Sequence, residues 1–175
     1  MRSADAVALM ATGTWVSVEE YLHTDYSPDR DYVDGVVLER NLGEYDHGKL
    51  QMAVAAWFYA RRRELGIHVV PELRVQVSPT RFRIPDVCVI AGAEPDEQIL
   101  TKAPFICIEI LSPKDRLNAQ GKRGRDFVSM GVAYVWILDP RTRKAYRVTP
   151  AALDEVVELR TENPEIVVPL AELFE

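Results

Sequence analysis

One stretch limits the fold more than any other. Pro104-Phe105-Ile106-Cys107-Ile108-Glu109-Ile110-Leu111 is a nearly continuous apolar run broken by a single carboxylate. A strand that buries one face alternates apolar and polar residues, whereas a strand buried on both faces is apolar throughout. The run therefore predicts a central strand covered on both sides. Ser112-Pro113 stops it, because proline has no N–H to offer a ladder. A second run, Val87-Cys88-Val89-Ile90, follows Pro85-Asp86 and predicts another strand, entered through a bend.

The flanking segments carry clear start and stop signals. Ser17-Val18-Glu19-Glu20 has capping-box spacing, and Val18, Tyr21 and Leu22 share one helical face, so a short helix is predicted within 14–22. Asp31–Arg40 reads as a hairpin turning at Asp34-Gly35. From Asp46 to Leu65 the residues Leu50, Val54, Trp57, Phe58, Arg61 and Leu65 recur at helical spacing, and Gly66 closes the helix. Short strands are predicted over 68–70, 73–77 and 81–84, the last running into 85–90, and 91–100 reads as a loop. A helix over Asp115–Met130 carries Arg116, Lys122, Arg123 and Arg125 and ends at Gly131. Strands follow over 132–138 and 144–148, then edge strands over 156–159 and 166–170, and a last helical turn within 169–174. That order predicts an α/β fold, a central mixed β-sheet flanked by helices. Residues 1–13 read as a flexible N-terminal tail and 14–175 as one domain, with no internal repeat or linker.

Composition excludes several classes. With 47% hydrophobic and 27% charged residues the chain is not of the disordered type. No apolar run approaches the roughly 18 residues that a membrane span needs. Cys88 and Cys107 sit inside apolar runs without a C-x-x-C pair, which predicts buried free thiols and a cytoplasmic location. The net charge of −6 gives no general basic surface, so a nucleic-acid partner must rely on local clusters. Lys122, Arg123 and Arg125 form one behind the acidic strand. Arg61-Arg62-Arg63 near a helix end reads first as charge complementing the helix dipole. His23, His47 and His68 are too scattered for a zinc pattern, and His47, just before the long helix, reads as structural or capping. No nucleophile elbow or glycine-rich phosphate loop is present. Trp57, Phe58 and Trp136 read as core.

Asp86 and Glu109 then need an explanation. A carboxylate buried without a partner is costly, so each is at a strand end, ion-paired or bound to a cation. If the two strands are neighbours, both acids can converge on one Mg²⁺ or Mn²⁺. Mg²⁺ usually takes one or two protein carboxylates and fills its other positions with water and phosphate oxygens. The competing reading pairs either acid with Arg74, Arg83 or Lys102.

Pro85-Asp86, followed after a loop by Glu109-Ile110-Leu111-Ser112-Pro113, resembles the Uma2 family, a bacterial group in the PD-(D/E)XK nuclease superfamily. Asp34-Gly35 resembles the family's early hairpin, and Gly131-Val132 with Trp136-Ile137-Leu138-Asp139-Pro140 its later strand, so the likeness covers most of the chain. The resemblance implies a restriction-endonuclease-like core and a divalent-metal-dependent endonuclease that hydrolyses phosphodiester bonds in DNA. It implies Asp86, Glu109 and the main-chain carbonyl of Ile110 as metal ligands. Asp31, at the place of a family glutamate four residues before the hairpin glycine, would bind a second metal or orient water. The superfamily lysine two residues after the second acid is replaced by Leu111, and the family's helix lysine falls on Arg123, with Lys122 beside it. Either would steady developing negative charge. The family's glutamate before its tyrosine-tryptophan pair is replaced by Tyr134, and His47 resembles a family position near the site, although a structural or capping role is the favoured reading. Arginine stays protonated and its fork suits phosphate rather than water. That departure motivates a second reading, a relative that binds nucleic acid without cutting it. A third is a structural or protein-interaction domain with salt-bridged carboxylates. Unpaired C-terminal edge strands further suggest a homodimer.

Overall fold

In the computed structural model, which describes residues 15–41 and 43–175, the capping signal at Ser17 works as its spacing predicts. Ser17 Oγ accepts a hydrogen bond from the Glu20 N–H at 3.1 Å and opens α1 (Val18–Leu22). The tail expected over 1–13 lies outside the described residues. Strands β1 (Asp31–Val33) and β2 (Val36–Leu38) form the expected hairpin, with Asp34 and Gly35 both at positive φ in the turn. Helix α2 (Tyr45–Leu65) ends at Gly66 in the left-handed conformation. Next come β3 (Ile67–Pro71), β4 (Val75–Ser78), β5 (Arg81–Arg83), β6 (Val87–Ala91) and β7 (Ile106–Ile110). Helix α3 (Leu117–Met130) leads to β8 (Tyr134–Asp139) and β9 (Lys144–Val148). The chain closes with β10 (Leu153–Val156), β11 (Glu158–Thr161), β12 (Ile166–Pro169) and α4 (Leu170–Leu173).

The main sheet has six strands in the order β10-β9-β8-β7-β6-β3. Only β7 and β8 run parallel, joined by α3, so the sheet is mixed as expected. All five residues of β7 are buried, which is why its sequence is apolar almost without a break. Its alternation decides which helix each residue meets. Ile106, Ile108 and Ile110 join Leu50, Val54 and Phe58 of α2 in one core. Cys107 joins Phe127 of α3 and Val135 and Ile137 of β8 in another. A third cluster, Tyr21, Tyr32 and Phe82, ties α1 to a four-stranded sheet in the order β2-β1-β5-β4. Among the described residues no helix is long and apolar enough to cross a membrane.

The C-terminal strands differ from expectation. β11 and β12 pair with each other as a separate two-stranded sheet, and the main sheet has β10 at one edge and β3 at the other. β10 was missed because Asp154 and Glu155 occupy its exposed middle, and acidic residues are poor strand formers.

Close packing of α3 sets the site. A Cβ on Gly121 would lie 2.6 Å from Leu153 Cδ1, and one on Gly124 would lie 3.0 Å from Val148 Cγ2. These two glycines let the helix backbone settle onto β9 and β10. That depth brings the side chain of Arg123, between them in sequence, within reach of β7.

Candidate functional site

Asp86 and Glu109 are brought together by strand register. β6 and β7 are antiparallel, with Val87 opposite Ile108, so the next pair outward is Asp86 and Glu109. Both acids are buried and both line a cleft of about 420 Å³ between the two larger sheets, as do Asp31, Ile110, Lys122 and Arg123. Asp86 sits at the bend after Pro85. Its Oδ2 accepts from the Ile110 N–H at 2.7 Å, and its Oδ1 accepts from Arg40 Nη2 at 3.0 Å. Glu109 Oε2 accepts from Arg123 Nη1. Glu109 Oε1 is buried and accepts no hydrogen bond from any described residue.

Asp31 opens β1 and faces the same cleft. Its Oδ1 accepts from Arg123 Nη2 at 3.1 Å and from the Ile84 N–H at 3.2 Å. Its Oδ2 accepts from Arg123 Nε at 2.7 Å and Arg83 Nη1 at 2.9 Å. Arg123 Nη2 also donates to the Ile84 carbonyl at 2.7 Å. Four of the five guanidinium N–H groups are thus committed to protein acceptors. The network continues outward through Asp126, which Arg83 approaches to 2.6 Å and Arg81 to 3.1 Å. Lys122 is exposed at the cleft and makes no ion pair with a described residue.

Two contributors were not read from the sequence, and a third was marked there only by its likeness to a family position. His47, taken there as structural or capping, lies in the first turn of α2 with Nε2 3.4 Å from Asp86 Oδ1. Arg40 follows the hairpin and reaches Asp86 across 46 residues of chain. Gln51 donates to the Asp86 carbonyl at 3.0 Å. No local pattern marks Arg40 or Gln51, because their partner is fixed only when the fold brings the end of the hairpin and α2 against the bend before β6. The ion pairs suggested for the two acids fall differently: Asp86 meets Arg40 and Glu109 meets Arg123, while Arg83 holds Asp31 and Asp126. Arg61 and Arg62 stack on Trp57 and Tyr59 and donate to the main-chain carbonyls of those same residues.

Burial and charge pull these groups in opposite directions. Burial pushes the Glu109 carboxyl from 4.5 up to about 8, and Arg123 only partly offsets it. Burial would also raise Asp31, but Arg123 and Arg83 outweigh it and hold that carboxyl below its usual range. Burial alone would lower Arg123, yet Asp31 and Glu109 raise it, so the guanidinium stays charged. Burial lowers His47, and its bond to Asp86 more than restores it, leaving the imidazole raised.

These displacements fix the pH dependence of the metal-free chain. Folded Glu109 keeps its proton up to about pH 8, whereas the unfolded group loses it near 4.5. His47 moves in the same direction, from 6.5 upward. Between those values the folded state binds more protons than the unfolded state, so stability falls as pH rises. Asp31 acts oppositely, its contribution being lost as pH falls through its lowered folded value. Urea unfolding is therefore expected to show a maximum at about pH 5 and a decline toward about pH 8. A steady gain from pH 5 to 8 would contradict these assignments.

The donor set suits a hard divalent cation. Among the described residues no group of three or more His, Cys, Asp or Glu side chains gathers as ligands. A cation here would rest on Asp86, Glu109 and the Ile110 carbonyl, with water and phosphate completing its shell, a common way of holding Mg²⁺. The orphaned Glu109 Oε1 is the observation that favours the fit, since a buried carboxylate oxygen without a partner is destabilising.

Comparison with known proteins agrees with this architecture. A family model named Uma2 and described as "putative restriction endonuclease" matches residues 18–175. A solved structure described as a "putative nuclease belonging to DUF820" from Anabaena variabilis superposes with a TM-score of 0.76 at 18% identity, over 91% of this chain and 97% of that one. At that identity the likeness speaks for the fold. No curated protein matches the chain.

Proposed function

The chain belongs to the Uma2 family, and on that premise we propose that it is a divalent-metal-dependent endonuclease hydrolysing phosphodiester bonds, with DNA as substrate and Mg²⁺ or Mn²⁺ as cofactor. The observation that carries the proposal is the Asp86–Glu109 pair, opposed across β6 and β7, with Glu109 Oε1 buried and unpartnered in a cleft edged by cationic side chains.

Asp86, Glu109 and the Ile110 carbonyl hold the cation in this reading. The cation supplies Lewis-acid polarisation of a phosphate oxygen and a more acidic water. Arg40 and His47 orient Asp86, much as hydrogen-bonded neighbours orient other metal-binding carboxylates. Lys122, exposed at the cleft and without an ion pair to a described residue, meets the phosphate backbone and steadies charge that develops on it. Arg123 has one N–H left for substrate, so most of its role is to hold Glu109 and Asp31 in place.

Incubation with supercoiled, linear and single-stranded DNA and with RNA, in Mg²⁺ and in Mn²⁺, tests the proposal. Metal-dependent cleavage of at least one form is expected. Binding without cleavage would favour the non-cutting relative, for which the commitment of Arg123 to protein acceptors is the supporting observation. The absence of both binding and cleavage would contradict the proposal.

The proposal extends to a cytoplasmic protein, supported by two buried free thiols. It also extends to a homodimer. Among the described residues nothing pairs with the outer side of β10 at one edge of the main sheet, and such an edge invites a second copy. A monomer by light scattering would refute that part.

A further inference from the structure

We propose that Arg123 stands in for a second metal ion, so that the site takes one divalent cation and not two. The inference rests on the metal-dependent reading of Asp86 and Glu109 and concerns how many cations that site holds.

Three observations carry it. The first is position. The Arg123 guanidinium bridges the two carboxylates that a second cation would share, contacting Asp31 with two nitrogens and Glu109 with a third. A cation placed there would have to displace it. The second is lone pairs. An ionised carboxylate offers about four acceptor positions, and Asp31 accepts from Arg123 twice, from Arg83 and from the Ile84 N–H. It has none left for a metal. Glu109 differs, because Oε2 is taken by Arg123 while Oε1 is buried and unpartnered. The two oxygens of one carboxylate thus serve two cations, one covalently part of the chain and one from solution.

The third observation is charge. Around the cleft the carboxyls of Asp31, Asp34, Asp86, Glu109 and Asp126 are paired with Arg40, Arg81, Arg83 and Arg123. Once a cation displaces the proton that Glu109 keeps in its absence, and with His47 neutral, these groups leave one uncompensated negative charge. One divalent cation together with one phosphodiester brings the network to neutrality. A second divalent cation would leave it two charges positive in a partly buried site, where uncompensated charge is costly. Arg123 supplies positive charge without hydration to strip, and Gly121 and Gly124 let its helix approach closely enough to deliver it.

Counting bound Mn²⁺ on the whole chain by calorimetry tests the proposal. The wild type is expected to bind one ion per chain, and Asp31→Asn to leave that count at one. Arg123→Lys, which keeps a positive charge, should also stay at one. Arg123→Ala, which frees Asp31 and Glu109 Oε2, should rise to two, and the second ion should vanish in Arg123→Ala with Asp31→Asn. Two ions in the wild type, falling to one in Asp31→Asn, would overturn the inference while leaving the nuclease reading intact. No ion in the wild type would overturn both. If Arg123→Ala fails to fold, the wild-type and Asp31→Asn counts still decide.

Discussion

Glu109→Gln is expected to lower metal-dependent cleavage by roughly a thousandfold or more, a loss of about 4 kcal/mol of transition-state stabilisation, while raising the melting temperature of the metal-free chain. The two effects share one cause. Glu109 is buried among the acids Asp31 and Asp86, one of its oxygens is orphaned, and burial keeps its carboxyl protonated up to about pH 8. Ionising it at neutral pH therefore costs stability. Each tenfold gain in proton affinity on folding is worth about 1.4 kcal/mol, and relaxation of the site brings the gain for the neutral amide to about 1–3 kcal/mol. Glutamine keeps a carbonyl to face Arg123, and Asp31 still grips that guanidinium with two hydrogen bonds, so the fold has no reason to fail. What it loses is the anionic oxygen meant for the cation. Thermal melting without metal, alongside a cleavage assay with Mn²⁺, reads both quantities. A variant that melts lower and still cuts would show that Glu109 is a structural ion-pair partner and nothing more.

Asp31→Ala is expected to act mainly on stability. The buried carboxylate neutralises two partly buried arginines and accepts the Ile84 N–H. Removing it leaves Arg83 with Asp126 alone, and Arg123 with Glu109 alone, in a partly buried site. Breaking a buried ion pair from one side costs about 3–5 kcal/mol, which for a chain of this size lowers the melting temperature on the order of 10 °C. Urea unfolding at neutral pH gives the figure directly. A loss below about 1 kcal/mol would place Asp31 among surface pairs, which contribute little, and would contradict the network described for it.

Much of the fold was legible because its signals are local. Ser17 with Glu20, Asp34 with Gly35, Gly66 and Gly131 each mark an element boundary through short-range chemistry, and the structure puts caps and turns there. The run at 104–111 predicted a strand buried on both faces, and β7 is one. β10 was not legible, because it owes its pairing to β9 rather than to its own pattern. The site divides in the same way. Asp86 and Glu109 stood out as carboxylates in apolar strands, and register sets them opposite each other. Arg40 and Gln51 are ordinary residues in sequence and reach Asp86 only through the tertiary fold, whereas His47 was marked by its likeness to a family position near the site. Arg123 was marked as the family's helix-lysine position. Its double grip on Asp31 and Glu109 follows from the close approach of α3, which depends on Gly121 and Gly124, and the sequence alone attached no such meaning to them.

The central claim is that Asp86 and Glu109 together hold a divalent cation. Calorimetric titration of Mn²⁺ into the wild type and into Asp86→Ala tests it most directly. The account predicts saturable binding to the wild type that disappears in the variant. Binding of equal strength in both, or none in the wild type, would contradict it.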